Sequence, residues 1–521
     1  MHPATRIMKR CFLSCLLLLV LAACVAPPPV PPPSSPGDSV PPPSPPLIEP
    51  ASTPAPLPPS GIFDIGWDDR APFAAGLISQ AQAVLDTRPG ASVYHIDLTI
   101  ADDLTHVRGR EEVRYTNTED VPLTEILLRL FPNIQGGESR VENLTVNQSP
   151  VIPRYELDNS AMVVPLSKAL QPGEQVVLGM DFAVEVPTEP GGNYGIFASV
   201  DGVLALAHFY PMIAVYDDEG WNVEIPPDYG DLVYADTAYY LVRVKASADQ
   251  VVVASGIEWE RRQEDGRQII TVAAGPMRDF YLVSSHRYQS LEEQVDETRL
   301  HAYAPPELAR ENALVLRYAR DALRSFNARF GPYPFTELDV AGTPTLAGGV
   351  EYPGLVVIAL DIYDAGNRFF EAATAHEVAH QWFYSLVGND QIDEPWLDES
   401  LAQYATLLYW LDTYGRAAYL GARQGMAARW ARIDNADIPV GLPVAAYDVP
   451  TYSGIVYGRG ALFFEKLAEE MGQDIFDAFL RDYVETFAWD IATTEGLKTL
   501  AESHCGCDLT PLFRDWIYAG D

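Results

Sequence analysis

The hydrophobic period of this chain changes near residue 300, and that change limits its fold more than any other feature. From roughly 90 to 285, short runs alternate apolar and polar residues: "SVYHIDLTI", "EEVRYTN", "EQVVLGMDF", "YYLVRVKA", "QVVVASG" and "QIITVAAG". Successive side chains of a strand point to opposite faces, so a period of two builds sheets with a buried side. Gly, Pro and Asp separate the runs, as turns require. From about 305 the period lengthens to that of a helix, as in "ELARENALVLRYARDALRSFNARF". The expected fold class is α+β and multidomain: an all-β N-terminal domain followed by a mainly helical one. The part of the chain able to fold is long enough for at least two domains, and it holds no internal repeat.

The first 61 residues lie outside that pattern. "MHPATRIMKRCFLSCLLLLVLAAC" opens with Arg6, Lys9 and Arg10, continues with an apolar run and ends on Leu21-Ala22-Ala23-Cys24. This reads as a secretory signal, too short to span a membrane comfortably. Its end resembles a bacterial lipobox, which implies cleavage before Cys24 and lipid on the Cys24 thiol. Residues 25–61 hold 17 of the chain's 43 prolines. Such a segment cannot bury a core and favours extended polyproline II, so it reads as a tether. The expected divisions are 1–23 signal peptide, 24–61 lipid-anchored proline-rich linker, 62–290 β-rich domain and 291–521 helical domain.

Charge and cysteine content narrow the partners. The formal charge is -37, and removal of the signal makes it more negative still. A surface of that sign excludes nucleic acid, whose phosphates need Lys and Arg. Of the five cysteines, Cys11 and Cys15 leave with the signal and Cys24 carries the lipid. Cys505 and Cys507 remain in "SHCGCD". With His504 they form a weak candidate for a second metal site, against two thiols free or bridged in an oxidising compartment.

Chemistry concentrates in "HEVAHQWF", residues 376–383. Phe370 to Val387 is apolar-rich and lacks Pro and Gly, and Gly388 follows, so a helix is expected over this span. Residues four apart share a helix face, so His376 and His380 can aim two imidazoles at one zinc ion. Glu377 lies roughly 100° round the helix, near the metal but free to hold a water. A catalytic zinc needs a third protein ligand and an open fourth position. By spacing, Asp390, Asp393, Glu394, Asp398 and Glu399 all qualify. Glu399 is best placed: a second helix is expected from Trp396 to Tyr414, closed by Gly415, and its first turn can face the histidines.

"HEVAHQWF", with eighteen residues between His380 and the glutamate of "WLDES", resembles the gluzincin aminopeptidases, the family of alanyl aminopeptidase and leukotriene hydrolase. The resemblance implies that His376, His380 and Glu399 bind one zinc ion per chain and that Glu377 is the general base. "GGVEYPG" is similar to the family's exopeptidase motif, with Gly348, Gly349, Val350 and Glu351 in its first four places and Tyr352 where Asn is usual. Glu351 then holds the free amino group of the substrate; the alternative is a plain glycine-rich turn. "VYGRGALFFEKL" is similar to the segment bearing the family's catalytic tyrosine, which implies Tyr457 as donor to the oxyanion, with Tyr452 of "PTYSG" as its rival. "FGPYPFTELDV" and "CDLTPLFRDWIY" extend the likeness.

Two departures qualify the picture. In "AHFYPM", His208 and Tyr210 stand where many members carry Gln and Glu to hold the amine. The chain also ends before the large helical third domain of many members, which implies a less enclosed cleft open to longer peptides. The resemblance implies a thermolysin-like second domain, zinc as cofactor, peptides as substrates and an exported protein tethered to a membrane through its N-terminus. Removal of N-terminal residues is the activity implied. The alternatives are an endopeptidase or broad peptidase with the same zinc site, and an inactive tethered binding protein. The oligomeric state is not legible.

Overall fold

A computed structural model describes residues 61–518. The signal segment, Cys24 and nearly all of the proline-rich linker lie outside the described residues. The alternating runs form sheets. The largest has eight strands, with Ser92–Ile100 and His106–Thr116 antiparallel at its centre and Ala238–Ser247 parallel to Ser92–Ile100 on the other side. The pleat sets the burial: on His106–Thr116, Val107, Val113 and Tyr115 point inward while Arg108 is exposed and Arg110 pairs with Glu112 at the surface. Two four-stranded sheets and a two-stranded one complete this β-rich half.

The second half opens with a five-stranded sheet before helices dominate. Its strands run in the order Gln289–Val295, Thr298–Ala304, Glu337–Thr343, Leu355–Ala359 and Gly349–Val350. The short Gly349–Val350 strand forms the edge and runs antiparallel to its neighbour. Around this sheet pack α1 (Ala309–Phe330), α2 (Arg368–Ala379), α3 (Trp396–Tyr414), α4 (Arg416–Ala431) and α5 (Gly460–Met471). On α1, Val315, Leu316, Ala319, Leu323, Phe326 and Phe330 recur at helical spacing and are all buried. The α3 helix is buried from Trp396 to Trp410 and so forms the centre of this half. One hydrophobic cluster runs through both halves, from Tyr94 and Leu128 to Trp382 and Phe513. No helix among the described residues is long and apolar enough to cross a membrane.

The helix expected from Phe370 to Val387 is shorter. It starts at Arg368, capped by the Asn367 side chain, and ends at Ala379. Beyond it Ser385 N–H bonds to His380 O at 2.9 Å, and Tyr384 takes a φ of 123°. A buried guanidinium from the β-rich half holds this turn. Arg278 donates to the carbonyls of Tyr384 (2.6 Å), Leu386 (3.2 Å), Ala235 (3.2 Å) and Asp490. Gly388 is therefore not a helix cap. A Cβ there would fall 2.0 Å from Arg278 Cζ, so the position must be bare. The α3 helix keeps the bounds expected of it, with Gly415 at φ 80° just after. Cys505 and Cys507 are joined in a disulfide and His504 bonds to Asp482 at 2.7 Å, so the "SHCGCD" segment offers no thiolate ligand.

Candidate active site

The turn spacing of α2 brings His376 Nε2 and His380 Nε2 to 3.1 Å of each other. Glu399, in the first turn of α3, places Oε2 at 3.0 Å from His376 Nε2 and 3.6 Å from His380 Nε2. All three side chains are buried. His380 Nδ1 lies 2.9 Å from the carbonyl of Phe383. A carbonyl only accepts, so Nδ1 carries a proton and Nε2 is the nitrogen left to face the convergence point. Two imidazole nitrogens and a carboxylate oxygen aimed at one point are the donor set of a catalytic zinc, and they fit that ion.

The electrostatics agree with the geometry. Burial lowers the proton affinity of His380, but the hydrogen bond to Glu399 and the nearby carboxylates of Glu351 and Glu377 raise it well above the usual histidine range. At Glu399 burial pushes the pKa up, and the hydrogen bonds to His376 and His380 outweigh it and hold the carboxyl below its ordinary value. The site therefore favours positive charge at the point where the three donors meet.

Support comes from the short loop between α2 and α3. Asp398 Oδ1 accepts from the Glu399 backbone at 2.8 Å and from Asn389 Nδ2 at 3.1 Å. Its other oxygen accepts from Gln391 Nε2 at 2.7 Å, and Gln391 also donates to Glu351 Oε1 at 2.9 Å. Asp398, a candidate ligand by spacing alone, thus steadies Glu399 and couples it to Glu351. Asp390, Asp393 and Glu394 are not among the groups that converge on the histidines.

The remaining residues singled out in the sequence line the same cleft of about 410 Å³. The edge strand Gly349–Val350 runs past Glu377, and a Cβ on Gly349 would lie 2.4 Å from Glu377 Oε1. Gly348 is similarly closed in, its missing Cβ 2.8 Å from Phe369 Cζ. Glu377 is only 5% exposed, and burial pushes its carboxyl well above the usual range, opposed by His380. The Tyr457 hydroxyl, on a widened helical turn Ile455–Arg459, donates to Glu399 Oε1. Burial raises its pKa, so it stays a donor. Tyr452 stands beside it, ring centroids 5.8 Å apart, with its hydroxyl unpartnered.

Of His208 and Tyr210, only His208 faces the cleft. It adopts a φ of 48° and bonds to Asp279 at 2.9 Å, an aspartate that also accepts from the Tyr384 hydroxyl. Tyr210 is buried against Tyr94 and Tyr240 instead. Tyr352 stacks on Tyr281 with centroids 3.8 Å apart. Two cleft residues carried no sequence signal. Asp231, from a loop of the β-rich half, brings a carboxylate oxygen within 4.8 Å of those of Glu351 and Asp398. Arg429, on α4, lines the cleft beside Tyr457.

Residues 316–516 match the Peptidase family M1 domain. Across both halves the chain is 22% identical over 467 residues to aminopeptidase 2 of Candida albicans, covering 85% of this chain and 48% of that protein. It is 23% identical over 413 residues to aminopeptidase N of Canis lupus familiaris, covering 73% of this chain and 42% of that one. The chain thus spans about half or less of the length of these curated relatives. Its fold is that of an M1 zinc metallopeptidase from Deinococcus radiodurans: TM-score 0.62, 23% identity, covering 83% of this chain and 94% of that one. A mutant of that protein is solved with a Tyr-Ser-Ala substrate bound, and it matches with a TM-score of 0.61 and 22% identity, covering 83% of this chain and 94% of that one.

Proposed function

We propose that this chain is a zinc-dependent aminopeptidase that removes N-terminal residues from peptides outside the cytoplasm, held at a membrane by lipid on Cys24. The observation that carries the catalytic part is the convergence of His376, His380 and Glu399 within 3.6 Å, with Glu377 buried alongside. One zinc ion per chain would sit there, held by those three side chains. When bound, it supplies a Lewis acid that polarises the scissile carbonyl and makes water acidic enough to deprotonate near neutral pH. Glu377 takes the proton of the attacking water and passes it to the leaving amine. The Tyr457 hydroxyl donates to the oxyanion that develops on the carbonyl oxygen. Glu351, with Asp231 and Asp398 close by, offers negative charge to a terminal ammonium, and the backbone of Gly348, Gly349 and Val350 forms the wall beside it.

The export reading rests on the basic start, the apolar run and Leu21-Ala22-Ala23-Cys24. Mass spectrometry of the chain from its native membrane tests it: a diacylglyceryl Cys24 at the new N-terminus is expected, and an unmodified Met1 would refute the anchor. A second reading, a broad peptidase indifferent to the amino end, draws on His208 standing where an acidic or amide anchor is usual. Peptides that differ only in a free or acetylated amino end separate the two. With zinc-loaded chain, free-amine peptides should shorten one residue at a time, a chelator should stop this, and Glu351→Ala should remove the preference. Equal cleavage of acetylated peptides would leave the zinc chemistry and remove the aminopeptidase assignment.

A further inference from the structure

A second group of ligand atoms converges outside the cleft, on the five-stranded sheet. His301, Glu337 and Asp339 each offer one atom, and these lie within 4.8 Å of one another, as those of His376, His380 and Glu399 do. None of the three lines the cleft. Strand register builds the group. Thr298–Ala304 runs parallel to Glu337–Thr343 with His301 opposite Asp339, and Glu337 stands two residues back on the same face. On the other side Gln289–Val295 sets Glu292 opposite His301. The imidazole is divided between carboxylates: Nδ1 lies 2.9 Å from Asp339 Oδ1, and Nε2 lies 3.5 Å from Glu292 Oε2. Asp339 is 3% exposed, and its other oxygen accepts from no donor among the described residues. Glu337 meets the largely exposed Arg299 at 3.1 Å. Burial and Asp339 push the Glu337 carboxyl up to about 7, with His301 and Arg299 opposing them. An ion pair between His301 and Asp339 accounts for one carboxylate and leaves the second crowded against the first. Removing such a pair from water is costly, and a cation between them recovers the cost.

We propose that His301, Glu337 and Asp339 bind a second divalent transition-metal ion, one that braces the sheet and takes no part in the chemistry of the cleft. One imidazole and two carboxylates suit zinc and manganese. Nδ1 is the ligand nitrogen, and Glu292 accepts from Nε2–H on the far side of the ring. A metal-binding imidazole is oriented and made more basic by such an outer carboxylate. The place of the group in the sheet gives the ion its role. It ties Thr298–Ala304 to Glu337–Thr343. The latter strand pairs with Leu355–Ala359, which in turn holds the edge strand Gly349–Val350 of the cleft. Asp339 N–H also bonds to Gly354 O at 3.0 Å, three residues beyond Glu351. The ion therefore supports the cleft wall from beneath, and it does so whether or not the cleft cuts peptides.

The test uses the full-length chain in detergent, stripped by a chelator and titrated calorimetrically with zinc and, separately, with manganese. Bound ions are counted by plasma mass spectrometry. Wild type should take two ions per chain with at least one of the metals. His301→Gln and Asp339→Asn should each take one. A His376→Gln/His380→Gln variant should also keep one, and that ion is the second. Glu292→Gln changes an exposed side chain and puts the fold at little risk. It should weaken the second site about 10–100-fold and leave the first unchanged. A single ion in wild type with both metals overturns the proposal. So do two ions in folded His301→Gln or Asp339→Asn, because the second ion then sits elsewhere. If those two variants do not fold, Glu292→Gln decides: two ions with both affinities unchanged overturn the assignment, and selective weakening of one supports it.

Discussion

Glu111 in the β-rich half and Glu399 in the helical half are both almost wholly removed from water, at 0% and 3% exposure. Their surroundings have nothing else in common. Glu111 stands on the inward face of His106–Thr116 among Val107, Val113 and Tyr115, and neither of its oxygens has a hydrogen-bond partner. Burial alone pushes its pKa far up, so it sits there as a neutral acid. Glu399 meets two imidazoles and a phenol, and next to it Glu351, Asp398 and Asp231 crowd together through Gln391. A single carboxyl can be buried by giving up its charge. Four cannot be gathered round two histidines unless cations are to arrive there, and that separates a packing oddity from a site.

Substitutions should divide along the same line. Glu377→Gln is expected to lower kcat by about 10²–10⁴-fold while zinc stays bound, measured by peptide turnover and metal content. Tyr457→Phe should cost about 10²–10³-fold in kcat with little change in KM; a KM effect alone would mean that the hydroxyl binds rather than stabilises charge. Asp398→Ala removes support from Glu399 without touching the ion, and zinc affinity should drop about 10–100-fold in a chelator competition. Glu111→Gln should leave both kinetic constants as they are and show only in stability.

The sign of that last effect follows from linkage. The folded-state pKa of Glu111 is raised, so between about 4.3 and the folded value the native chain holds a proton that the unfolded chain has released. Wild type then loses about 1.4 kcal/mol of stability per pH unit across that window relative to Glu111→Gln. Urea melts of the two proteins from pH 5 to 8 should therefore diverge as pH rises. Parallel curves would show that Glu111 has found a partner and is ionised, and the contrast between the halves would fall.

What could be read beforehand was what is local. The His376–His380 spacing, the Trp396–Tyr414 helix and the alternating runs each depend on a few consecutive residues, and the structure keeps them. Glu399 was one of five acidic candidates until the packing of α2 against α3 placed it. The helix expected to reach Val387 stops at Ala379 because Arg278, more than a hundred residues earlier, takes the carbonyls of Tyr384 and Leu386. Asp231 and Arg429 stood in segments with no motif and no period. They enter the cleft only when a β-half loop and α4 are folded over it, a relation that no window along the chain contains.

Arg278 has a further consequence. Its guanidinium stitches carbonyls at 235, 384, 386 and 490 into one knot, with Gly388 left bare to admit it. Swinging the β-rich half away from the helical half would strip those carbonyls, three of them in buried contacts, of their donor. The fold is therefore riveted at this point, and the two halves that line the cleft keep a fixed spacing.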